Sequence, residues 1–190
     1  MRYLVAFFCA FILMLSLNGQ ANSSNLAPKV PVIVVSGSYP QMGEQYGRLE
    51  KSRLHQLYAL ILQEYGGLHQ QNKGRMEKLA NSVYEGYPYR FKRFYQGMSQ
   101  TSGLSLQQLK IINALEYFAF FPKKIISSGP HCSFAAFSSH YSGDDVLVAR
   151  NYDFIQDASS LRPYLVLTVF KPTDGEITTA MLTYVGTLNA

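Results

Sequence analysis

Two periodicities divide this chain near Cys132. Upstream, apolar residues recur every three to four positions, as one face of a helix requires; downstream they come in short runs separated by turn residues. From Gln41, the spacing of Leu49, Leu54, Leu57, Leu60 and Ile61 predicts a helix that Gly66 and Gly67 stop. A second helical stretch covers roughly Lys73 to Tyr95, with Pro88 breaking or kinking it. A third is the best marked: Ser105 and Gln108 form a capping box, the apolar stripe Leu109, Ile112, Ala114, Leu115 and Phe118 follows, and the helix ends before Pro122. Before these helices, Val30 to Val35 is a β-branched run containing Pro31, which reads as a short strand or an edge strand.

From Cys132 the pattern changes. Cys132 to Phe137 and Val146 to Ala149 flank the turn cluster Ser142, Gly143, Asp144 and Asp145, which predicts a hairpin. Tyr164 to Phe170 and Ile177 to Val185 form two further strands, joined tightly through Pro172, Thr173, Asp174 and Gly175. The expectation is an α+β chain with an antiparallel meander starting at Cys132. Strands with no following helices leave one sheet face uncovered, so the chain is expected to be truncated at its C-terminal end.

The first residues read as an export signal. Arg2 supplies a basic start, Tyr3 to Leu17 an apolar run, and Gly19 and Ala21 the small residues of a cleavage point, so the mature chain is expected to begin near Asn22. An uncleaved membrane anchor is the alternative. Once the signal is removed no stable membrane span is expected, and the location is exported, periplasmic or extracellular. Cys9 lies inside the apolar run with no small-residue lipobox before it, which argues against lipid attachment. The organisation is a signal over 1–21, a helical propeptide-like or α-chain-like segment over 22–131, and a strand-rich segment over 132–190.

Charge sharpens that division. The formal net charge is +5, but residues 22–131 hold 13 Lys and Arg against 6 Asp and Glu, and residues 132–190 hold 3 against 6. Tyr87 to Tyr95, with Arg90, Lys92 and Arg93 among aromatics, is the one stretch that could suit a nucleic acid; a partly solvated helix with snorkelling basic side chains explains it better, so no nucleic-acid partner is expected.

Loss of Cys9 with the signal leaves Cys132 alone. An unpaired thiol in an oxidising compartment is a buried inert residue, half of an intermolecular bridge, or a thiol kept free for chemistry. Its flanks favour chemistry. The segment CSFAAFSSHYSGDDVLVARNYDF places a Cys at the opening of a strand hairpin and an Arg-Asn-x-Asp box at the end of the second strand, behind a helical upstream region. Upstream, GSYPQMGEQYG (Gly37 to Gly47) reads as a Gly-rich strand-to-helix start. Together these features resemble the N-terminal nucleophile (Ntn) hydrolases acting on linear amides. More narrowly, they resemble the superfamily of the acyl-CoA:6-aminopenicillanic acid acyltransferase, the choloylglycine hydrolases and acid-ceramidase-like amidases.

The resemblance implies a four-layer αββα sandwich, here only partly present, and an autoprocessing hydrolase or acyltransferase, of which a fragment ending at Ala190 is expected to be inactive by itself. It implies Cys132 as nucleophile, with autocleavage between His131 and Cys132. It also implies Asp153 as acceptor of hydrogen bonds from the new α-amine, and Arg150 near the sulfur. His131 departs from the glycine that precedes the nucleophile in the penicillin acyltransferase. An Asn oxyanion-hole donor is expected beyond Ala190, and Asn189 is not assigned to that role.

The chemistry explains the same residues. A thiol with a pKa of about 8.5 is mostly protonated at neutrality and needs a base. An α-amine titrates near ~7.7 to 8.0, close to where a general base is most useful, and on the cysteine's own Cα it is positioned without a second residue. Arg150 would favour the thiolate by its charge. Arg150 and Asp153 follow Cys132 by 18 and 21 positions, far enough to run out to the Gly143 turn and return, whereas Asn151 and Tyr152 are expected to face the other way. His140, near the turn, offers a rival Cys and His pair; His55 and His69 read as surface residues. No metal-ligand spacing is present and no cofactor is expected. The partners expected are a small-molecule amide or acyl substrate and, as an open alternative, a second copy of the chain. Bile-salt or N-acylethanolamine-like amidase activity and an inactive exported lipid-binding homologue are the alternatives.

Overall fold

Helix α1 (Tyr39–Leu49) begins where the sequence provides for it. Ser38 is its N-cap, Gln41 three positions on accepts from the Ser38 backbone N–H at 2.9 Å, and Pro40 sits in the first turn, where a missing N–H has no consequence. The computed structural model describes residues 29–66, 70–118, 132–138, 140, 143, 146–152 and 158–188. The signal reading, His69, His131 and Asp153 lie outside them. Contacts divide the chain into Met1–Val30 and Pro31–Ala190, and all the helices and strands described belong to the second unit.

Strand β1 (Val32–Gly37) precedes α1. The single helix expected up to Ile61 is two, α1 and α2 (Lys51–Ile61), separated at Glu50, with a π-helical turn Leu62–Gly66 after them. At this bend the buried Glu50 carboxylate accepts from Arg53 at 2.8 Å, and the other guanidinium nitrogen donates to Pro163 O and Leu165 O, each at 2.8 Å. Helices α3 (Gln70–Glu85) and α4 (Tyr89–Ser102) break at Pro88 as expected. Helix α5 (Leu106–Asn113) opens with its expected capping box: Gln108 N donates to Ser105 Oγ at 3.3 Å, and Ser105 N donates to Gln108 Oε1 at 2.8 Å. Ala114 interrupts it before the short α6 (Leu115–Phe118).

The chain is mixed α+β. The expected meander is replaced by two sheets. Strands β2 (Cys132–Phe137) and β3 (Leu147–Tyr152) pair only with each other among the described residues, while β4 (Leu165–Pro172) and β5 (Thr179–Tyr184) join β1 in the order β1-β4-β5. Strand β1 runs parallel to β4, with Val32 opposite Leu167 and Gly37 opposite Pro172; β5 is antiparallel to β4. Between β3 and β4 the chain passes through a 3₁₀ turn, Ala158–Tyr164, which separates strands that local patterning had joined.

The sheet's inner rows, Ile33–Thr168–Met181 and Val35–Phe170–Thr179, turn toward the helices, where Val35 and Phe170 are buried and Phe94 of α4 meets Phe170 edge to face with centroids 5.6 Å apart. Its outer rows, Val32–Leu167–Leu182 and Val34–Val169–Ala180, are also apolar. They are open: Val32 is 60 % exposed, Val34 51 % and Leu182 49 %.

Helices α1 and α4 pack with backbones nearly in contact. A Cβ on Gly43 would overlap the Phe94 carbonyl oxygen, one on Gly97 the Pro40 carbonyl oxygen, and one on Gly47 the Thr101 hydroxyl and the Met98 carbonyl. Gly43 and Gly47 of the Gly37–Gly47 motif therefore serve helix-to-helix approach, whereas Gly37, with a φ of +117°, ends β1 in a conformation that favours glycine.

Candidate active site

Cys132 is the first residue of β2, and the strands pair in a single register: Cys132 opposite Tyr152, Ser133 opposite Asn151, Phe134 opposite Arg150, Ala136 opposite Val148 and Phe137 opposite Leu147. The hairpin forms because both strands are short runs of β-formers joined through a segment containing Gly143, whose φ of +87° favours glycine. The second strand starts at Leu147 and extends to Tyr152, three residues beyond the Ala149 end read from the pattern, and so brings the Arg150 position into the ladder. The pleat alternates, which puts positions 132, 134, 150 and 152 on one face and 133 and 151 on the other. One expectation is corrected by this register. Position 152 does not alternate with position 150 but shares its face, directly across from position 132; of the two, position 151 alone falls on the opposite face.

The strand itself carries the chain away from Cys132 before His140 is reached. A strand rises about 3.3 Å per residue, so the five steps from Cys132 to Phe137 span about 17 Å, and His140 lies beyond Phe137 at the turn end. His55 is engaged elsewhere: its ring donates from Nε2 to Ser102 O at 2.9 Å, at the C-terminus of α4. Among the described residues no group of three His, Cys, Asp or Glu could hold a metal, and no helix is long and apolar enough to cross a membrane.

The periodicities had drawn no attention to a buried polar cluster in the helical layer. Gly186, at a turn after β5 with a φ of +77°, donates its N–H to the Tyr46 hydroxyl at 3.0 Å. The Tyr95 hydroxyl lies 2.8 Å from Gly186 O and 2.7 Å from Asn113 Oδ1, its one proton serving two acceptors. Asn113 Oδ1 also accepts from Tyr87 at 3.0 Å and from Leu188 N at 3.1 Å. Burial raises the Tyr46 and Tyr95 phenols well above the ordinary tyrosine range and raises Tyr87 to about 12. Neutral phenols, the Gly186 backbone and the Asn113 carbonyl oxygen are joined in one hydrogen-bonded cluster here, which is the arrangement of a structural lock. The legible signal was Asn113, an amide inside the apolar stripe of α5.

Compared with protein-family models and with curated proteins, the chain matches none.

Proposed function

We propose that this chain is an autoprocessing cysteine N-terminal nucleophile amidohydrolase or acyltransferase, exported and acting on the C–N bond of small linear amides, of the penicillin acyltransferase and choloylglycine hydrolase type. The observation that carries the reading is the antiparallel register, in which Cys132 opens one strand and the Arg150 position returns on the same face of its partner. A second observation supports the αββα sandwich in particular. The three-stranded sheet has helices against one face and an open apolar face on the other, as one half of such a sandwich would.

In this mechanism the Cys132 thiol attacks the His131 carbonyl, the acyl group moves from nitrogen to sulfur, and water cleaves the thioester. His131 becomes a carboxylate and the Cys132 nitrogen a free amine. That amine then takes the thiol proton as Sγ attacks a substrate amide. The substrate's amine leaves with a proton, and water or an acceptor amine releases the acyl group from sulfur. Arg150 favours the thiolate and Asp153 orients the amine; oxyanion stabilisation is still required.

Mass analysis of the protein after brief exposure to a panel of N-acyl amides tests the reaction. An acyl adduct that hydroxylamine removes, present on the chain carrying Cys132 and absent from Cys132→Ala, is expected. A processed chain that gains no adduct across the panel would exclude catalysis on these amides. It would favour the second reading, an inactive lipid-binding homologue, for which the open apolar sheet face speaks.

A further inference from the structure

We infer that strand β1 is a self-association surface: its outer edge pairs antiparallel with the β1 edge of a second copy, about a two-fold axis at Ile33, and joins the two three-stranded sheets into one. The inference draws nothing from the chemistry at Cys132.

Successive residues of a strand turn their N–H and C=O to alternate sides, and the ladder with β4 shows which residues of β1 turn which way. Leu167 N donates to Pro31 O at 2.9 Å and Thr173 N to Gly37 O at 3.2 Å, with Val32 opposite Leu167 and Gly37 opposite Pro172. Pro31, Ile33, Val35 and Gly37 therefore turn toward β4. Val32, Val34 and Ser36 turn away from it, to the edge. Among the described residues the sheet has no strand beyond β1.

The chain itself closes one of these three positions. Gln45 of α1 lies against Ser36 as a neighbouring strand would, its Oε1 accepting from Ser36 N at 3.1 Å and its Nε2 donating to Ser36 O at 2.7 Å. The edge is thus blunted at Ser36 and left open at Val32 and Val34, both exposed. Folded proteins ordinarily guard such an edge with a charge, a proline or a bulge. Here Pro31 stands at a position that faces β4, so its missing N–H takes nothing from the outer edge, and positions 32 and 34 carry no charge in an unbroken register.

A second copy fits what remains. With the axis at Ile33, Val32 lies opposite Val34 of the partner subunit and Val34 opposite the partner's Val32, and each pair exchanges both of its N–H···O=C bonds. Ser36 is not needed. An axis at Val34 would instead set Val32 against Ser36 of the partner subunit, whose backbone groups Gln45 already holds. Gln45 therefore selects the register. Directly opposed residues share a face, so the valines of both copies meet on the outer side of the joined sheet while the helices of both stay on its inner side. A charged peptide finds nothing at this edge to select it, whereas a copy brings the same two β-branched residues in the matching order.

The test follows the purified full-length protein by sedimentation from micromolar to millimolar concentration, with amide hydrogen exchange at both ends of the range. A monomer–dimer equilibrium is expected. The Val32 and Val34 amides should exchange slowly where the dimer dominates and fast on dilution, while those of Ile33 and Val35, turned to β4, stay slow throughout. Val34→Pro removes an outward N–H and nothing that β4 uses, and is expected to weaken the dimer by about tenfold or more. Leu182→Lys places a charge on the exposed outer face, on β5, and is expected to leave the dimer intact. A monomer at every concentration overturns the inference. So does a dimer that Leu182→Lys abolishes and Val34→Pro spares, which would be a stacking of outer faces. Val32 and Val34 amides that stay slow at every dilution overturn it too, because another part of the same chain would then cover the edge. Should Val34→Pro fail to fold, the exchange experiment needs no substitution and decides alone.

Discussion

Gly43 and Gly97 show how much a single missing Cβ decides. Each faces a backbone carbonyl of the partner helix, which cannot swing aside as a side-chain end can, so alanine at either position forces α1 and α4 apart. Gly97→Ala is expected to destabilise the fold by about 3 kcal/mol, at the upper end for overpacking, and Gly74→Ala, with open space around it, to leave the urea midpoint unchanged or raise it. The buried phenols make a second residue-level prediction. Burial raises Tyr87 and Tyr184 to about 12, and burial together with the hydrogen bond to Glu176 raises Tyr39 to about 12. The folded chain therefore keeps protons that the unfolded chain releases near pH ~10, so this stabilisation is full below about pH 10 and is lost as the pH rises through about 12. Urea midpoints across that window should fall, and the fall should be shallower in Tyr87→Phe. At this scale the sequence singled out Cys132, because loss of the expected export signal with Cys9 would leave it the sole cysteine. It did not announce Tyr46 or Tyr95, since a tyrosine at helical spacing looks the same whether its hydroxyl meets water or a glycine carbonyl.

The helices were legible where their signals are local. Ser105 with Gln108, and Pro88 as a breaker, act on neighbours within a turn, and both took effect as read. Ser105→Ala is expected to remove about 1 kcal/mol of stability, read from the urea midpoint, because Gln108 N loses its acceptor at the helix start. The bend at Glu50 escaped because its cause lies far along the chain, in the Pro163 and Leu165 carbonyls that Arg53 reaches. Strands were legible as runs, and β1 was read as a short or edge strand, which it is; their partners were not. Pairing β1 in parallel with β4 depends on burial that no window of the sequence contains, and the 3₁₀ turn after β3 ended a meander that alternation alone would have continued. The hairpin was the exception. Its strands follow one another in sequence, so its antiparallel pairing could be counted out from the turn, although the second strand was read three residues short and the parity of Tyr152 was misjudged.

At the scale of the whole molecule, the charge boundary at Cys132 proves to be a boundary of the sequence more than of the fold, because β1 crosses it to share a sheet with β4 and β5. Among the described residues, the apolar outer face of that sheet and the hairpin positions Ala135 to Phe137 are exposed, and the proposed αββα arrangement gives both a purpose. The chemistry depends on whether the Cys132 nitrogen becomes free. That is read most simply from the intact mass of the purified full-length protein, beside that of Cys132→Ala. Two chains are expected from the wild type, the second starting at Cys132, and one chain from the variant. An uncut wild-type chain that nonetheless hydrolyses amides would refute the α-amine as the base.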